Sequence, residues 1–143
     1  MRSLFLLAAL VASPALAQIQ IENGWTRATP PGAKIAAGYM TIRNGAATPD
    51  KLIAASSPAA QLVQMHVTVK DGDIFRMREM KSYEIAARGS FELKPGGAHL
   101  MLVNLKAPFK EGAKVPLTLR FERAGEVRTE LHVGRLDASA QQH

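Results

Sequence analysis

From Gln18 onward the apolar positions alternate with polar ones in short runs, broken about every ten residues by Gly, Pro, Asn or Asp. Period-two alternation with regular turn residues is the pattern of half-buried strands, and no comparable helical periodicity appears. The predicted strands are Ile19 to Arg27, Gly38 to Arg43, Lys51 to Ser56, Leu62 to Lys70, Asp73 to Met80, Ser90 to Leu93, His99 to Leu105, Val115 to Glu122 and Glu126 to Val133. Asp71-Gly72 and Ala124-Gly125 are expected as tight turns, because glycine accepts positive φ. Thr29-Pro30-Pro31-Gly32 and Lys94-Pro95-Gly96-Gly97 are expected as longer connections, since proline cannot donate to a ladder. The expected architecture is all-β, a Greek-key β-sandwich or small barrel. Trp25, Tyr39 and Phe121 are assigned to its core.

The N-terminus breaks this pattern. Arg2, the apolar stretch Leu4 to Ala12, the Ser13-Pro14 break and Ala15-Leu16-Ala17 have the form of a secretory signal peptide cleaved after Ala17. The apolar stretch is too short for a permanent membrane helix, so no stable membrane insertion is expected. Residues 18 to 143 then form one domain, with a flexible tail after about 134. The expected location is the periplasm, and the protein is expected to be a monomer.

Composition narrows the chemistry. The chain has 143 residues, 47% of them hydrophobic, a net charge of +6 and no cysteine. Missing thiols exclude disulfides, thiolate zinc sites, cysteine nucleophiles, cysteine-held iron–sulfur clusters and the His/Cys/Met blue-copper centre. They also argue against a lipoprotein. The basic residues are scattered and not gathered into an aromatic-interleaved stripe, so nucleic acid is not expected as a partner. No Gly-x-Ser-x-Gly turn or paired-carboxylate arrangement stands out, and no enzyme is expected.

The remaining soft or borderline donors are thioethers and imidazoles. His66, Met77, His99 and Met101 form one spacing: ten residues, twenty-one, then one. His99 and Met101 share a strand face because they lie two apart. A two-residue turn centred on Asp71-Gly72 would pair Lys70 with Asp73 and set His66 directly opposite Met77, on one face. Two neutral imidazoles and two thioethers favour Cu(I) over hard cations, and zinc rarely takes a thioether. A thioether also resists the oxidation that would pair thiols in an exported compartment. Among the other candidates, Met40 and Met65 are assigned to the core and His132 to the surface. Met80 is a reserve ligand on the opposite face from Met77, and His143 is a loose Cu(II) ligand in the terminal tail.

The spacing His-x10-Met-x21-His-x-Met, the Gly38-Tyr39-Met40-Thr41-Ile42-Arg43-Asn44 segment and Lys94-Pro95-Gly96-Gly97-Ala98-His99-Leu100-Met101-Leu102 resemble the periplasmic copper chaperones of the PCuAC type. The resemblance runs from about Trp25 to Val133. It implies a cupredoxin-like β-sandwich that binds one Cu(I) at an exposed site through His66, Met77, His99 and Met101. It also implies delivery of copper towards the copper-site subunit of cytochrome c oxidase, alongside Sco-type chaperones. Some members carry a Met/His-rich extension with a Cu(II) site, whereas here the tail after Val133 offers only His143. Two other readings compete: an exported metal-free β-sandwich interaction module and a copper-dependent redox enzyme.

Overall fold

A computed structural model describes residues 18–138. The expected signal peptide, its expected cleavage after Ala17 and the expected ligand His143 lie outside the described residues. Ten strands follow in chain order: β1 Ile19–Arg27, β2 Ile35–Asn44, β3 Asp50–Ser56, β4 Ala60–Asp71, β5 Ile74–Met80, β6 Tyr83–Ile85, β7 Ser90–Leu93, β8 Ala98–Leu105, β9 Lys114–Phe121 and β10 Gly125–Gly134. Nine coincide with sequence-predicted strands, some with shifted ends. The tenth, β6, has three residues and is too short to show alternation.

Seven strands close a barrel in the order β4-β8-β2-β1-β10-β9-β3, with β3 returning to β4 through Ala55 opposite Val63. The β1–β10 pair is parallel, and the other barrel pairs are antiparallel. Closure leaves β5 hydrogen-bonded only to β4, as an outer strand. Inside the barrel, Met40, Ile42, Leu52, Leu100, Leu102, Leu117, Leu119, Phe121 and Leu131 form a continuous core with Met65. The core assignments of Met40, Met65 and Phe121 therefore hold.

Trp25 and Tyr39 are buried, but in a separate cluster with Ala138, outside the barrel core. The reason is local. Asn23 has φ 54° and the β1–β2 register shifts between Glu22 and Trp25. That extra residue reverses the alternation, so Ile19 faces the core before the bulge and Thr26 turns inward after it, leaving Trp25 on the other face. Gly24 is required at this bend, because a Cβ there would lie 2.7 Å from the Glu130 carbonyl oxygen.

The β4–β5 turn also differs from expectation. Asp71 pairs with Ile74, so the two loop residues are Gly72 and Asp73, with Gly72 at φ 63° in the first position. The Asp71-Gly72 turn placed glycine second. Moving it to the first position displaces the register by two residues, which preserves the face of every side chain while changing its direct partner.

Candidate metal centre

Three neighbouring strands carry the four sequence-predicted ligands. β8 lies between β2 and β4, with Leu100 and Leu102 fully buried, so alternation turns His99 and Met101 to the outer face. β4 buries Val63 and Met65 in the core and presents Gln64, His66 and Thr68 on the same outer face as the β8 pair. The register sets His66 opposite His99 and Gln64 opposite Met101. On the other side of β4, Glu79 lies opposite His66, and Met77 lies opposite Thr68.

The expected direct opposition of His66 and Met77 is therefore overturned by the two-residue displacement of the turn. Met77 keeps the face and becomes a diagonal neighbour of His66, at a typical separation of about 7–8 Å. The resulting layout is an imidazole pair in the middle row, Met101 in the row on one side and Met77 in the row on the other. Met80 pairs with Met65, on the face away from Met77, and His132 is exposed.

The two rings are brought close, with centroids 5.7 Å apart and planes tilted 48°. Each ring has one nitrogen committed. His66 Nε2–H donates to Gln64 Oε1 at 3.0 Å, and His99 Nδ1–H donates to the Gly97 carbonyl at 3.2 Å. Both acceptors are carbonyl oxygens, so the protons sit on these nitrogens and the lone pairs on the others. The others, His66 Nδ1 and His99 Nε2, are buried without a hydrogen-bond partner. A buried unpaired acceptor is costly unless something occupies it, and two of them on adjacent rings suit a metal ion.

Electrostatics keeps the His66 ring a neutral donor. Its pKa lies below the ordinary 6.5, because burial disfavours the imidazolium and the His99 ring adds to the lowering, partly opposed by the Glu79 carboxylate. Beneath the pair, the buried Tyr83 hydroxyl donates to the carbonyls of His66 and His99, the second at 2.8 Å. Burial pushes this phenol up to about 12, so it keeps its proton. Gln64, Glu79 and Tyr83 were not singled out by sequence reasoning, and Gly97 entered it only as part of the Lys94-Pro95-Gly96-Gly97 connection. Gln64 and Gly97 each precede a candidate ligand by two residues on its own strand or turn, a signal that was available. Nothing in the spacing pointed to Tyr83.

Among the described residues no group of three or more His, Asp or Glu converges. The side chains that flank the imidazole pair on this face are the thioethers of Met101 and Met77. Met101 is partly buried and Met77 is 63% exposed, so the centre opens to solvent on the β5 side.

A family model described as "Putative lipoprotein LpqE-like" matches residues 19–133. A protein from Leifsonia xyli subsp. xyli (strain CTCB07), "Putative lipoprotein Lxx21020", is 36% identical over 104 residues. That alignment takes in 72% of this chain and 61% of the relative, so the chain spans about three fifths of that protein's length. Among solved structures, the copper-bound PCuAC domain from PmoF2 superposes with a TM-score of 0.73 at 30% identity, covering 85% of this chain and 96% of that domain. The Cu(I) form of DR1885 from Deinococcus radiodurans gives 0.67 at 30% identity, covering 89% and 85%. The fold is thus all-β and cupredoxin-like, in its closed-barrel form. Relatives described as lipoproteins point to an exported protein, and no helix among the described residues is long and apolar enough to cross a membrane.

Proposed function

The chain belongs to the LpqE-like family, and from that premise we propose that it is a copper chaperone that binds one Cu(I) through His66, Met77, His99 and Met101 and hands it on. The observation that carries this reading is the pair of unpartnered buried nitrogens, His66 Nδ1 and His99 Nε2, on rings 5.7 Å apart between two thioethers. Two neutral imidazoles with two soft, uncharged sulfurs match Cu(I) better than any hard cation. The similar PCuAC domains of PmoF2 and DR1885 are described as copper-bound and Cu(I)-bound.

Because all four ligands are neutral, the bound ion keeps its +1 charge, and binding is weaker than in a thiolate cage. Weak binding at a centre open on one side suits carriage and transfer. The protein acts without turnover, as a monomer in the periplasm, after cleavage behind Ala17. Its acceptor is the copper-site subunit of cytochrome c oxidase, reached directly or with a Sco-type chaperone.

Cu(I) titration under reducing conditions against a competing chelator tests the site. One equivalent is expected, and Met77→Ala with Met101→Ala is expected to weaken affinity by about 100-fold, or ~2.7 kcal/mol. Unchanged stoichiometry and affinity in the double variant would overturn the reading. Copper transfer followed by NMR against each candidate acceptor tests the destination, and no transfer to either removes it.

A further inference from the structure

We propose that Tyr83 is a positioning residue for copper, its hydroxyl clamping the backbone of the two histidine ligands from inside the barrel so that their rings stand ready as a pair. This inference rests on the proposed Cu(I) site and deepens it.

Tyr83 comes from outside the ligand strands. It opens β6, which pairs with β3 through Leu52, and it follows the end of β5 by three residues. Its side chain is 2% exposed, and its ring stacks on Phe91 with centroids 4.8 Å apart at 23°. That stacking fixes where the hydroxyl can reach. It reaches the carbonyl oxygens of His66 and His99, which oppose each other across β4 and β8. One proton is thereby shared between the two backbone acceptors of the very residues whose rings approach on the outer face.

The ladder between β4 and β8 sets register, but the local twist between opposed residues still varies. A third element tied to both carbonyls at one row removes that freedom. A site held in its binding geometry before the ion arrives does not spend binding free energy on ordering. Support of ligands by groups behind them is worth about 10- to 100-fold in metal affinity.

The test is Tyr83→Phe, which keeps the ring and its stacking and removes the hydroxyl. In the copper-free protein, NMR contacts between the His66 and His99 rings are expected to weaken. In chelator competition, Cu(I) affinity is expected to fall about tenfold with stoichiometry still one. X-ray absorption of the Cu(I) form is expected to show greater spread in the nitrogen shell. Val115→Ala, a core truncation on β9, serves as the destabilised control and is expected to bind within twofold of the wild type.

Ring contacts and affinity unchanged in Tyr83→Phe would overturn the proposal. An equal loss in Val115→Ala would overturn it too, by assigning the effect to stability. Absence of Cu(I) binding at the histidines of the wild type would instead overturn the proposed function, while the ring contacts of the copper-free variant would still decide the role of Tyr83.

Discussion

His99 and Met77 lie in adjoining rows of one sheet face, yet their surroundings are opposite. His99 is 3% exposed on β8, a strand paired on both sides, whose Leu100 and Leu102 are fully buried in the core. Met77 is 63% exposed on β5, an outer strand with one neighbour and seven exposed residues. A strand held by a single ladder with no core beneath it opens at low free-energy cost, whereas a central strand opens only with the whole domain. The contrast separates two duties within one centre. In the proposed carrier, the histidine end retains the ion and the β5 end supplies a ligand that is easily displaced. Arg76 and Arg78 on β5 serve a further need, since charged side chains deter other chains from pairing with an exposed edge.

The sharpest way to break the contrast is to truncate the core under the histidines. Leu100→Ala empties space in the barrel interior and is expected to cost about 2–5 kcal/mol. The shift in denaturation midpoint at constant slope measures it. A cost below about 1 kcal/mol would mean that β8 is not the rigid half.

Next in size is the support of the His66 ring. Gln64→Ala removes the acceptor for Nε2–H, 3.0 Å away in the native protein, and frees the ring to rotate or change tautomer. Cu(I) affinity is expected to fall about 10- to 100-fold, with one equivalent still bound. Competition with a chelator reads this directly. An unchanged affinity would show that the ring is oriented by the strand alone.

Much of this was legible in the residues, for reasons that also explain the misses. Period-two alternation survives any even displacement of register, so His66 and Met77 share a face although the turn at Gly72-Asp73 moved their pairing by two residues. The same alternation failed at Trp25, because Asn23 and Gly24 insert a bulge that reverses it. β6 was illegible because three residues, Tyr83–Ile85, carry no period. Gln64 and Tyr83 escaped for a different reason: a spacing motif selects donor atoms, and these residues act on the donors from behind.

Acidity probes the histidine end with a smaller effect. The folded-state pKa of His66 lies below 6.5, chiefly through burial and then through the His99 ring, so the unfolded chain takes up its proton first as pH falls. Stability is therefore full above about pH 6.5 and declines through the window between 6.5 and the lowered folded value. This group contributes at most about 1.4 kcal/mol per pH unit there. Denaturation midpoints of the copper-free protein at pH 7.5, 6 and 5, compared with those of His66→Gln, isolate the contribution. Parallel pH profiles for the two proteins would show that the ring is not shielded in the fold.

The smallest expected effect completes the comparison from the β5 side. Among the described residues Phe75 is the most exposed of the large apolar side chains, at 69%, and lies across the ladder from Lys70, whose ammonium stands 6.0 Å from the ring centroid. An exposed cation–π contact at that distance is weak, and a surface truncation away from caps and core stays within about 0.5 kcal/mol. Phe75→Ala removes more apolar atoms than Leu100→Ala, so area alone would rank it the more damaging. Burial reverses the order, because the Phe75 ring leaves little water contact on folding and its loss opens no cavity. The expected midpoint is therefore indistinguishable from that of the wild type. A loss comparable to that of Leu100→Ala would place β5 within the cooperative core, and the division of the centre into a held end and a displaceable end would fall with it.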